Sequence, residues 1–202
     1  MITVKTILSI VLCMAVLATT GVAFYNNYTQ NRAGRYTATT TISDTERQWI
    51  LERFGREYGS IEEYISTVQS YARANFQYHH GKTVVFQHFD FDDLEQGDRN
   101  YGICFDFAVL FKHITLVLDE EGLLPVNDFK VYVVDIAYEN FFKPPHSYNV
   151  ISLPDGTSYY LDLTMSVSRV EKGLEPNDDY EIFTCSIKNY CARYKERLLN
   201  FH

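Results

Sequence analysis

The chain has 202 residues, a formal net charge of -8 at pH 7 and a pI near 5.2. Surfaces that neutralise phosphates cluster Lys and Arg, so 18 basic against 26 acidic residues argue against nucleic acid as a partner. With 46% hydrophobic residues, 16 Tyr and 14 Phe among them, the chain can bury one core without metals or disulfides as staples.

From Ile7 to Phe24 the run ILSIVLCMAVLATTGVAF carries no charge, and Lys5 with the amino terminus forms its positive flank. Its 18 residues fit a short spanning helix and a signal-peptide apolar region alike, and Gly21-Val22-Ala23 offers small residues for cleavage. Residues 1–24 are therefore expected to bring the chain to a membrane, as an anchor or as a cleaved signal. Cys13 reads as an apolar filler, because Leu12 ahead of it is too large for a lipoprotein signal. Residues 25–42, rich in Asn, Thr, Tyr and Gln without hydrophobic period, read as a polar stalk. One globular domain is expected over 43–202.

Ser43-Asp44-Thr45-Glu46 has capping-box spacing and opens a helix carrying Trp49, Ile50 and Phe54, which Gly55 and Gly59 weaken and end. A second box, Ser60 with Glu63, opens a helix whose Ile61, Tyr64, Ile65, Val68, Ala72 and Phe76 share one face. The acidic stretch Asp90 to Asp98 lacks the alternate ligand positions of a calcium loop and reads as solvated. Cys104 to Glu121 forms a third helix with Phe107, Ala108, Phe111, Ile114 and Leu118 inward, closed by Gly122. The pattern then changes to strands, over Phe129 to Tyr138, His146 to Leu153 and Thr157 to Leu163. Pro154-Asp155-Gly156 makes the turn between the last two. The residues from Ile187 onward read as a final, basic helix. Helices followed by an antiparallel sheet make the fold class α+β.

A thiol at a helix start is a candidate nucleophile, since unpaired N–H groups and the helix dipole favour the thiolate. Cys104 stands there, and Gly102 just before it lets the chain turn tightly and a substrate approach. Most lone cysteines are small buried hydrophobes, so a partner is needed. His113 lies on the same helix, about 13 Å up the axis and on its far side. His146 opens a strand whose hairpin partner carries Asp162. A three-residue loop with Gly156 left-handed sets Leu153 opposite Thr157 and makes 146 and 162 diagonal neighbours on one face, roughly 7 Å apart. A two-residue loop sets them on opposite faces. His79, His80 and His88 suggest a metal site only weakly, because adjacent histidines diverge and no third ligand is suitably spaced. No cofactor is expected. Cys185 and Cys191 remain open between disulfide and free thiols.

Gly102-Ile103-Cys104-Phe105-Asp106-Phe107-Ala108, His146-Ser147-Tyr148 and Leu161-Asp162-Leu163-Thr164 together resemble the three-block signature of the transglutaminase-like superfamily. The helix ending in Phe76-Gln77-Tyr78 resembles the one that precedes its cysteine block. Trp often stands where Tyr148 does, and the Asp-Pro-Thr of the family is Asp-Leu-Thr here. The resemblance implies a papain-like core with Cys104, His146 and Asp162 as a catalytic triad. It implies acyl transfer or hydrolysis at an amide through a Cys104 thioester, as peptidase, amidase or transglutaminase. The Cys104 N–H is one oxyanion donor, and no second donor stands out. The expected substrate is an extracytoplasmic peptide or protein, the cell envelope included. A non-catalytic peptide-binding or adaptor module and an exported structural domain are the alternatives. A reporter fused after His202 is expected to be active only outside the cytoplasm; activity confined to the cytoplasm refutes the membrane-addressed topology.

Overall fold

The computed structural model describes residues 40–78, 100–138, 146–171, 180–183 and 196–201, with Met14, Val16, Thr19 and Phe91 as single positions. The expected apolar N-terminal segment, the acidic stretch, His79, His80, His88, Cys185 and Cys191 lie outside these residues, apart from the single positions. Among the described residues no helix is long and apolar enough to cross a membrane.

Helix α1 (Asp44–Phe54) starts where Ser43 Oγ accepts from the Glu46 N–H at 3.1 Å. The expected box is half formed, because the Glu46 carboxylate turns into the core and accepts from His113 Nδ1 at 2.7 Å. The helix stops at Gly55, where a Cβ would lie 2.3 Å from the Leu51 carbonyl oxygen, so only glycine fits. Helix α2 (Ile61–Asn75) is capped by Ser60 Oγ on the Glu63 N–H, and Glu63 accepts in return from the Gly59 N–H at 2.9 Å. It runs directly into β1 (Phe76–Tyr78), which pairs in parallel with β2 (Asn100–Gly102).

Helix α3 (Cys104–Glu120) follows and is buried almost all round. Phe107, Phe111, Ile114 and Leu118 join a core with Trp49, Ile50 and Phe54 of α1 and Tyr64, Ile65 and Val68 of α2. The same core takes Val131, Ile151 and Leu161 from the sheet. On another side of α3, Phe105, Ala108 and Val109 pack on Val133.

The main sheet comprises β3 (Lys130–Tyr138), β4 (His146–Ser152), β5 (Ser158–Leu161), β6 (Tyr180–Phe183) and β7 (Glu196–Phe201). Its order is β6-β5-β4-β3-β7 and every pairing is antiparallel. The architecture is α+β. The parallel β1–β2 pair stands apart from the expected all-antiparallel pattern.

Two expectations need correction. Leu163 ends no strand: β5 stops at Leu161, Asp162 turns the chain, and helix α4 (Leu163–Glu171) begins. The polar cap at 162 outweighs the β-prone run before it. The described part of the C-terminal segment, 196–201, is strand rather than helix, because the edge of β3 offers a backbone ladder that local propensity does not register.

The Glu46–His113 contact ties α1 to α3 with exposures of 3% and 0%, so either side chain is costly to leave alone. Glu46→Ala is expected to lose about 2–4 kcal/mol in urea unfolding, and Glu46→Gln, which keeps an acceptor, clearly less. Equal losses would show that the contact depends on the carboxylate's charge and not on an acceptor of the same shape.

Candidate active site

Three elements converge on one point: the start of α3, the start of β4 and the junction between β5 and α4. Cys104 is the first residue of α3, and Ile103 at the cap has no side-chain acceptor to offer. Asp106 substitutes for it, its Oδ2 accepting from the Ile103 N–H at 3.0 Å. That bond holds the turn that presents Cys104, whose own N–H belongs to the first helical turn and has no partner further back along the helix. The thiol is free of disulfide bonding and 2% exposed.

The β4–β5 hairpin has the three-residue register. The Leu153 N–H donates to the Thr157 carbonyl at 2.8 Å, Gly156 is left-handed at φ 91°, and Asn149 pairs with Leu161. Position 162, just past the last pair of the ladder, therefore falls beside 148, one diagonal step from His146. The side chains meet, with His146 Nε2 donating to Asp162 Oδ2 at 2.5 Å.

Asp162 is 4% exposed, and its other oxygen is also engaged. Oδ1 accepts from the Thr164 N–H at 3.0 Å and the Met165 N–H at 3.3 Å, and the Asp162 carbonyl accepts from the Ser166 N–H. Asp162 is thus the N-cap of α4 and the histidine's partner at once. With Nε2 committed, Nδ1 is the ring nitrogen left for Cys104, which lies close enough to favour the charged ring. Burial by itself would lower the imidazolium's affinity for its proton. The bonds to Asp162 and Cys104 and the charges of both outweigh it, so the pKa of His146 is raised to about 10.

The structure brings Cys104, His146 and Asp162 together and leaves His113 on the α1 side of α3, bonded to Glu46. It adds Tyr78, which sequence reasoning passed over. Tyr78 pairs with Gly102, two residues before Cys104, and packs against the cluster of Ile103, Phe105 and Ala108. Its phenol pKa is raised by burial first, then by the negative charges of Cys104, Asp162 and Asp106. The hydroxyl therefore favours its protonated form, in which a phenol can donate. Its signal in the sequence was its place at the end of an amphipathic helix, where aromatic residues more often serve packing. Among the described residues no group of acidic, His and Cys side chains could hold a metal ion.

Because the folded-state pKa of His146 lies above the ordinary 6.5, its protonation stabilises the fold fully below about 6.5. That contribution is lost as pH rises through about 10. Ring-proton NMR is expected to show His146 still charged at pH 8 in the wild type, and Asp162→Asn is expected to lower its midpoint. A wild-type midpoint near the ordinary histidine value would dismiss the pairing as an influence on the ring.

No protein-family model matches the chain, and no curated protein matches it. A crystal structure of a candidate cysteine protease from Cytophaga hutchinsonii matches with a TM-score of 0.43 and 16% identity, over 79% of this chain and 49% of that one. The chain thus spans about half the length of that structure. Likeness at this level says nothing of chemistry, and the candidate site stands on its own geometry.

Proposed function

We propose that the chain is a cysteine enzyme of the transglutaminase-like type, forming a thioester on Cys104 from an amide substrate and passing the acyl group to water or an amine. The observation that carries this reading is an imidazole bonded to a buried carboxylate at 2.5 Å, with a thiol at a helix start near enough to favour its charge. Asp162 keeps Nε2 occupied and the ring oriented, which leaves Nδ1 for the sulfur. That arrangement suits a thiolate–imidazolium pair, and the charged ring is the proton source the leaving amine needs.

Attack by the Cys104 sulfur on the amide carbonyl makes a tetrahedral oxyanion. The Cys104 N–H and the Tyr78 hydroxyl are the donors we assign to it. Collapse expels the amine with a proton from His146 Nδ1, leaving the thioester and a neutral ring. The neutral ring then takes the proton of the incoming water or amine, and the second tetrahedral intermediate returns the thiolate and the imidazolium. Hydrolysis and transamidation share every step up to the second nucleophile. The apolar segment from Ile7 to Phe24 supports placing the domain outside the cytoplasm, secreted or tethered to a membrane, with a peptide or protein of the envelope as substrate.

Mass spectrometry of the protein after exposure to glutamine-peptide and envelope-peptide libraries is expected to find an acyl adduct on Cys104, absent in Cys104→Ala. With p-nitrophenyl acetate as a general acyl donor, Tyr78→Phe is expected to slow acylation of Cys104 by about a hundredfold. Iodoacetamide alkylation, which develops no oxyanion, should be unaffected. Turnover retained by Cys104→Ala refutes the proposal, and an undiminished acylation rate in Tyr78→Phe removes Tyr78 from it.

A further inference from the structure

Nucleophile and base stand on different elements, Cys104 on α3 and His146 on β4, and their separation depends on how the helix is seated on the sheet. Much of that seating is apolar: Ala108 and Val109 lie against Val133, and Phe111 and Ile114 share a core with Ile151 and Leu161. Apolar contacts are non-directional, so they hold a helix down without fixing its position along its own axis. Asn149 is different. It is 1% exposed, and its Nδ2 donates to the Ala108 carbonyl at 2.8 Å and to the Tyr132 carbonyl of β3 at 3.3 Å.

The positions tied by this one amide are close to the chemistry. Ala108 is one helical turn beyond Cys104. Asn149 is three residues beyond His146 on the same strand, and its ladder partner on β5 is Leu161, immediately before Asp162. A shift of α3 along its axis would stretch and misalign the directional bond to Ala108 before it disturbed the apolar contacts. The same shift would carry Cys104 away from His146.

We propose that Asn149 is a positioning residue that locks α3 to β4 and so sets the separation between Cys104 and His146. The inference rests on the triad reading. The buried carboxamide has a cost of its own, since Asn149 Oδ1 has no hydrogen-bond partner among the described residues. A residue kept for packing alone could be leucine, which branches at the same carbon and has no polar atom to leave unpaired. The Ala108 carbonyl would keep the intrahelical bond that a helix interior supplies. Asn149→Leu therefore separates the two roles: stability should hold while the seating of the helix loosens.

The experiment is iodoacetamide labelling of the full chain at pH 6 and pH 9, read on the Cys104 peptide by mass spectrometry, with melting temperatures alongside. Four proteins are compared: wild type, Asn149→Leu, His146→Ala and Thr115→Val. Thr115 is the control for stability alone, because it accepts from the Tyr64 hydroxyl at 2.6 Å on the α2 side of the same helix. Asn149→Leu is expected to label about tenfold more slowly than wild type at pH 6, approach it at pH 9 and melt near it. Thr115→Val is expected to melt lower and label like wild type. If His146→Ala slows labelling at pH 6 while Asn149→Leu does not, this inference is overturned and the triad stands. If His146→Ala labels like wild type, the triad reading falls and this inference with it. Asn149→Ala, assayed below its melting temperature, must show the same slowing, so a failure of the leucine variant to fold does not protect the proposal.

Discussion

The Asp162 carboxylate does two things that a protein usually asks of two residues. Oδ1 takes the free N–H groups of Thr164 and Met165 at the start of α4, and Oδ2 takes Nε2 of His146. Capping restricts the side chain to one rotamer, and that rotamer aims the other oxygen at the imidazole. A carboxylate free to rotate would lose part of the ring's orientation to its own entropy, whereas here the helix start has already immobilised it. The end of β5, the start of α4 and the charge on His146 all depend on this group.

Electrostatics follow from the same arrangement. Burial disfavours a charged imidazole, yet Asp162 and Cys104 together favour the cation and raise the pKa of the ring. The cation in turn offsets negative charge that would otherwise be isolated at the start of α3, where the first-turn N–H groups favour an anion as well. Asp106 contributes through the backbone, bonding the Ile103 N–H and fixing the turn on which the sulfur is carried. Tyr78 feels these charges as a further reason to keep its proton, which is the state in which a phenol can donate to an oxyanion.

Helix α3 must be held on several sides for a thiol at its tip to be placed. Its contacts divide into apolar packing, which supplies most of the free energy, and a few polar bonds that supply direction. His113 meets Glu46 of α1, Thr115 meets Tyr64 of α2, and the Ala108 carbonyl meets Asn149 of β4. Each bond is buried, so a lost partner leaves a desolvated group behind, and the helix has few alternative seats.

Much of the architecture was legible one segment at a time. Capping serines at 43 and 60, the apolar stripes of the first three helices and the strand over residues 130–138 follow from local propensity and periodicity, which are short-range properties. The hairpin register was legible too, because Gly156 and a three-residue turn constrain which residues face each other. What local pattern did not carry was whatever depended on a distant partner. The strand at 196–201 exists because β3 has an edge to pair with, and Glu46 left its expected capping role because His113 lies across the core. Helix α4 was hidden by the β-prone residues around its cap. Within the candidate site, local pattern was enough for the residue types: a thiol at a helix start, and a histidine and an aspartate on one hairpin. That Tyr78 and Asn149 meet the start of α3 came from the packed fold, because each reaches it from another element, and such proximity is set by packing rather than by spacing.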